Sequence, residues 1–262
     1  LRGKWMSIDP ISRIDPSAVI EDGVTIGPWC IVGPAVSIGA GSVIESHVVI
    51  RSHTRIGKNN RFFQFSSIGE DPSDKKFEGE EAWLDIGDNN VFREGVTLHR
   101  GTGFGGGLTK IGNDNLLMPY VHIAHDCVVG NNTVFANNAG LSGHVEVDDW
   151  AILGGFAGVN QFVKIGAHAM VGGVTHVGQD VPAYMLVSGQ PAAVRSINTV
   201  GLSRRGFSDE AIKDLRTAFK VLYRRGLSLS EALEELRGML ARCPEVAALI
   251  ASIESSTKGI QR

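Results

Sequence analysis

The chain has 262 residues, 43% of them hydrophobic, and a net charge of -3, which suits one large domain, or one domain and a small appendage, with no general attraction to nucleic acid or an anionic membrane. Its three cysteines, Cys30, Cys127 and Cys243, are scattered, as free thiols in a reducing, cytoplasmic compartment would be. No apolar run is long enough to span a bilayer, and Leu1 to Met6 lacks the apolar core of a secretion signal, so Met6 is the expected natural start and residues 1–5 are set aside.

From Ile8 every sixth residue is apolar: Ile8, Ile14, Ile20, Ile26, Val32, Ile38, Ile44, Ile50, Ile56, Phe62 and Ile68. A run of this kind arises by chance with odds on the order of 10⁻⁴, so it is a true repeat. The fourth residue after each is often small or β-branched, as in Val24, Cys30, Val36, Ser42, Val48 and Thr54. Residues 70–83 break the frame, with Asp74 and Glu80 where apolar residues should stand, and predict a loop. Ile86, Phe92 and Leu98 resume the repeat. A glycine-rich stretch, Gly101 to Gly107, adds one residue and predicts a second loop over about 100–110. The series then runs from Ile111 to Val177. A period of six suits a short strand and a turn, and stacked strands bury a continuous aliphatic column. The motif resembles the hexapeptide repeat of the left-handed β-helix family, which implies for residues 6–195 a parallel β-helix of three strands per eighteen-residue coil.

After residue 195 the period becomes helical, and 196–262 reads as a C-terminal helical domain. Ile212, Leu215, Phe219 and Leu222 share a face, Gly226 reads as a cap, and Ser228 with Glu231 makes a capping box. Pro244 is expected in the first turn of a further helix. Arg216, Lys220 and Arg224, preceded by Arg204 and Arg205, form a basic stripe: a solvated face, or a surface for an acidic protein partner.

In an eighteen-residue coil, residue i+18 stacks on residue i about 4.8 Å away. Gly143 therefore falls on His125, His144 on Asp126, and Gln161 on Gly143. Two histidines, a carboxylate and a glycine converge at one corner. His125 is the candidate base, Asp126 its orienting carboxylate, and Gly143 an N–H donor that a carbonyl can approach closely. His122 and His144 could contact substrate. A second column, Asn137, Gly155 and Gly173 beside Ala136, Gly154 and Gly172, predicts a shallow trough for an alkyl chain, unless its glycines only make tight turns.

The strings Ile26 to Gly33, Gln64 to Glu70, Leu98 to Gly101, Gly105 to Lys110, His122 to Asp126, Gly143-His144 and Arg204 to Phe207 resemble the UDP-N-acetylglucosamine O-acyltransferase family, which acts first in lipid A synthesis. The resemblance implies a left-handed coil and a homotrimer with active sites between subunits. It implies transfer of a 3-hydroxyacyl group from acyl carrier protein, through its phosphopantetheine arm, to the 3-hydroxyl of the nucleotide sugar. There would be no cofactor, no metal and no acyl-enzyme. His125, Asp126 and Gly143 would be catalytic. His122, His144, Asp74, Lys76 and Gln161 would bind the acceptor, and Asn198 and Arg204 its phosphates. Gly155 and Gly173 would form the acyl groove, and the open Gly173 predicts a chain longer than ten carbons.

Three positions depart from the family pattern: Asn160 for a common His, Val200 for a Glu and Ser73 for a Gln. They leave open a 3-amino acceptor in place of the 3-hydroxyl. Four other readings compete with this one: a related N-acyltransferase, which carries an extra N-terminal domain, an acetyl-CoA-dependent sugar acetyltransferase, a zinc carbonic anhydrase on the same coil, and a purely structural β-helix.

Overall fold

A computed structural model describes residues 8–261; the expected start at Met6 and the last residue, Arg262, lie outside the described residues. The repeat folds as a left-handed parallel β-helix followed by short helices. Its strands stack into three faces, of nine, eight and ten strands. The first face begins with Arg13–Ile14 and ends with His176–Val177, and the second runs from Val19–Ile20 to Lys164–Ile165. The third starts at Thr25–Ile26 and closes with Met185–Ser188 and Ala193–Ile197, which pair antiparallel.

The repeat dictates this shape because most strands are two or three residues long and turn one aliphatic side chain inward. Ile26 pairs with Ile44, Ile44 with Phe62, and Phe92 with Leu117, so the sixth-residue series becomes continuous buried columns. Each fully buried member contributes about 1.5–3 kcal/mol against exposure. Phe62 and Phe92 stack with ring centres 4.5 Å apart. Polar members of the corner column are satisfied in series. Asn60 Oδ1 accepts from Asn90 N at 2.9 Å, Asn90 Oδ1 from Asn115 N at 2.9 Å, and Asn115 Oδ1 from Thr133 N at 2.7 Å.

The corners carry the strain. The second corner residue takes a left-handed backbone even where it is large, as at Trp29 (φ 62°), Phe65 (φ 65°), Tyr120 (φ 62°), Phe156 (φ 59°) and Val174 (φ 55°). Such a residue costs roughly 1–2 kcal/mol. The corner N–H groups answer this by bonding the coil below, as Phe156 N does to Asn137 O at 2.9 Å.

The chain leaves the coil after strand Ser67–Glu70 and rejoins it at Trp83–Ile86. A second excursion separates Thr97–His99 from Leu108–Ile111 and contains one 3-10 turn, Gly103–Gly105. The helices are α1 (Thr199–Arg204), α2 (Asp209–Arg224), α3 (Leu229–Met239) and α4 (Val246–Glu254). The capping box of Ser228 and Glu231 opens α3 as expected, and Gly226 is left-handed (φ 70°). Two details differ from the expected pattern. The short helix α1 carried no periodic signal, and Pro244 lies just before α4, whose cap is Glu245. The helical unit clasps the corner between the second and third faces. There Arg205 lies over Trp150 at 5.3 Å and donates to His168 Nδ1 at 3.1 Å. No described helix is long and apolar enough to cross a membrane.

Candidate active site

The strand His122–Ile123 ends at the corner between the first and second faces, and His125 and Asp126 form that corner. Asp126 is left-handed (φ 60°), which lets two adjacent side chains meet: His125 Nδ1 stands 2.7 Å from Asp126 Oδ2. The carboxylate is almost fully enclosed and also accepts from Thr102 N at 2.8 Å and Thr102 Oγ1 at 2.7 Å. Held this way, Asp126 accepts the Nδ1 proton and leaves His125 Nε2 as the basic nitrogen. Gly105 is required above it, because a side chain there would collide with the Asp126 carboxylate.

One coil further on, Gly143 lies under the His125 ring, where a Cβ would come within 2.5 Å of Cε1. Its N–H donates to none of the described residues. His144 stands at the same corner with Nε2 3.6 Å from Asp126 Oδ2 and its ring perpendicular to His125 at 5.2 Å. Burial pushes its pKa down, against the opposing pull of Asp126. Phe162 stacks on His144 at 4.4 Å. Gln161 is exposed one coil beyond Gly143.

His122 points outward from the first face, with Nδ1 2.7 Å from Thr97 Oγ1. Burial, then the neighbouring His125, lowers its pKa. His99 packs against it edge-on at 4.8 Å, and burial followed by repulsion from His122 holds its pKa at about 4. The first loop comes to the same place: Asp74 Oδ2 is 3.8 Å from His125 Nε2. Lys76 N donates to Asp74 Oδ1 at 2.8 Å, while its ammonium stands 5.7 Å from the Phe104 ring.

These residues border an open cleft of about 390 Å³ on the first face, lined among others by Ser73, His122, His125, Gly143, Asn160 and His176. Its floor is the outward column His122, Gly140, Gly158 and His176. Side chains at Gly140 and Gly158 would meet nothing within 4 Å, so the strip is bare backbone. Sequence reasoning missed this column, although the same i+18 arithmetic reaches it from His122.

One chain does not unite every expected residue. Gly155 and Gly173 lie across the first face, at its corner with the third, and face only backbone oxygens and nitrogens. Asn198 is buried at the corner between the second and third faces, where it caps α1 through Gly201 N and donates to His168 O at 2.9 Å. Arg204 is exposed on that same helix.

The bacterial transferase hexapeptide profile matches residues 17–52 and 108–143, and that of UDP-N-acetylglucosamine O-acyltransferase domain 2 matches 180–261. The chain is 53% identical over 205 residues to the acyl-[acyl-carrier-protein]–UDP-N-acetylglucosamine O-acyltransferase of Pseudomonas savastanoi, covering 78% of this chain and 80% of that one. It is 54% identical to the protein of the same name from Stutzerimonas stutzeri, covering 79% and 81%. Among solved structures, LpxA of Acinetobacter baumannii superimposes with a TM-score of 0.96 at 49% identity, over 98% of this chain and 100% of that one.

Proposed function

Since the chain belongs to the UDP-N-acetylglucosamine O-acyltransferase family, we propose that it moves a 3-hydroxyacyl group from acyl carrier protein to the 3-hydroxyl of UDP-N-acetylglucosamine, the first step of lipid A synthesis, with His125 as general base. The observation that carries the mechanism is the 2.7 Å contact of His125 Nδ1 with an Asp126 carboxylate already held by Thr102, above Gly143, whose N–H donates to none of the described residues.

His125 Nε2 takes the proton of the sugar 3-hydroxyl as its oxygen attacks the thioester carbonyl. The oxyanion is held by Gly143 N–H. Collapse expels the phosphopantetheine thiolate, which takes the proton back from His125. The reaction is direct and needs neither metal nor cofactor. His122, His144, Asp74, Lys76 and Gln161 bind the acceptor around this point. The acyl chain runs over the glycine floor towards Gly155 and Gly173. The coil, 6–195, carries the chemistry, and the helical unit, 196–262, offers the exposed Arg216, Lys220 and Arg224 to the acidic carrier protein.

Two observations support a homotrimer with sites between copies. Asn198 and Arg204 belong to a different corner from His125, so all three can serve one acceptor only if different copies supply them. The corner between the third and first faces, which flanks the cleft, exposes Trp29, Phe65, Tyr120, Phe156 and Val174 in one column. Apolar surface of that extent calls for a partner. A cytoplasmic location follows from the substrates.

His125, Asp126 and His144 also bring ligand atoms within 4.8 Å of one another, the pattern of a cation site. The bonds from Thr102 and His125 to the Asp126 carboxylate favour the acyl-transfer reading. Asn160 and Ser73 in the cleft wall make a 3-amino acceptor the second reading. The test is a transfer assay with UDP-N-acetylglucosamine and a panel of 3-hydroxyacyl carrier proteins, for wild type and His125→Ala. Wild type is expected to acylate, and the variant to lose about 10²–10⁴-fold. Wild-type acylation only of the 3-amino sugar would establish the second reading instead.

A further inference from the structure

We infer that Arg100, together with His99, is a positioning residue that sets where the first loop places Asp74 against His125. Twelve residues separate the strands Ser67–Glu70 and Trp83–Ile86, and nothing periodic within them defines a path. The ties that fix this excursion come from the end of strand Thr97–His99 and the segment after it. Arg100 N donates to Glu70 O at 3.0 Å at the root of the loop. One residue on, the Arg100 guanidinium pairs with the Asp71 carboxylate. His99 Nδ1 accepts from Ser73 N at 3.3 Å, and Asp74 follows. On the returning limb Gly103 N donates to Glu80 Oε1 at 3.0 Å, and Trp83 N to Gly107 O at 2.8 Å.

The guanidinium is fixed from behind. Its Nη1 donates to Ser52 Oγ and meets His53 Nδ1, both at 3.2 Å, on an earlier coil, and His53 packs edge-on against Trp83 where the loop rejoins. The Arg100 side chain is 7% exposed and that of Asp71 is 54% exposed, so a buried arm reaches out to hold a surface carboxylate. Its Nε has no partner among the described residues, a cost tolerated for the placement of the other two nitrogens. The His99 latch needs an unprotonated Nδ1, which burial and the nearby His122 secure. A closed path therefore runs from Arg100 through Asp71 and Ser73 to Asp74, and ends 3.8 Å from His125 Nε2.

This inference rests on Asp74 serving the acceptor. The test is steady-state kinetics for UDP-N-acetylglucosamine on Asp71→Ala, Asp74→Ala, their double variant and Arg100→Lys, with a melting midpoint for each. Asp71→Ala leaves the buried Arg100 guanidinium without its carboxylate, so a lowered midpoint is expected and the kinetics are read at temperatures well below it. This variant should lose about 10- to 100-fold in kcat/KM, the scale on which a displaced positioning group is felt, with KM raised as well as kcat lowered. The double variant should be no worse than Asp74→Ala alone, because both act through one carboxylate. Arg100→Lys, with its charge but not its fork, should fall between wild type and Asp71→Ala. Losses that multiply in the double variant, or wild-type kinetics for Asp71→Ala, overturn the latch while leaving the reaction intact. Wild type that neither transfers to nor binds the nucleotide sugar in calorimetry overturns the functional reading, and the latch with it.

Discussion

His99 is buried and His168 half-buried, and burial pushes both pKa values down to about 4, against 6.5 for an ordinary histidine. His99 is depressed by burial and then by His122; His168 by burial and then by Arg205, which donates to its Nδ1. A depressed histidine binds fewer protons folded than unfolded wherever the unfolded chain titrates first. Its contribution is complete above pH 6.5 and is lost as pH falls through about 4. The melting midpoint should therefore stay level above about pH 7 and decline through that window, and His168→Gln should flatten the decline. A midpoint that stays level down to pH 4 would contradict the burial of these rings as neutral acceptors.

The corner is the element that makes the chemistry possible. A strand of two residues keeps His122 pointing outward, and the left-handed turn after it folds Asp126 back onto His125. Neighbouring glycines act differently by position. Gly143 is small so that an imidazole can lie on it, whereas Gly140 and Gly158 leave a bare floor between His122 and His176. Gly173 does not have a left-handed backbone, and a Cβ there would come no closer than 3.2 Å, to Gly155 O. A longer side chain is admissible at that corner only if the Gly155 backbone gives way by a few tenths of an ångström. Gly173→Met should keep the fold and shift preference in the carrier-protein panel towards shorter acyl chains by about tenfold, on the order of the 1–3 kcal/mol that one methylene is worth in a pocket. An unchanged preference would mean that chain length is measured elsewhere along the cleft.

At the scale of the molecule, the column from Trp29 to Val174 is large, exposed and left-handed in backbone. Its strain and exposure are explained together if a second copy packs against it and walls the cleft. The paired substitution Phe65→Glu with Tyr120→Glu should convert trimer to monomer in sedimentation and abolish transfer, while the melting of the coil changes little. A trimer that survives both charges would place the interface on another face.

The stacked strands were legible in the residues because a six-residue period turns one aliphatic side chain inward per short strand, while three strands per coil and the left hand came with the resemblance to the hexapeptide-repeat family. Where no insertion intervenes the coil repeats every eighteen residues, so His125, Gly143 and Gln161, or Asp126 and His144, could be stacked by arithmetic. That arithmetic fails at the second loop. Thr97 meets His122 at a separation of 25 residues, and Thr102 meets Asp126 at 24, so their partnership carried no periodic trace. Arg100 reaches Ser52 across 48 residues and Asp71 across 29, separations that the first insertion sets. Asn198 gave no sign in the sequence that it caps α1 through Gly201 N and donates to His168 O. Local periodicity determined the stacked strands, their core and, with the coil length, the cluster at one corner. Contacts across the two insertions, whose lengths obey no period, decided how the carboxylate and the first loop are held against His125.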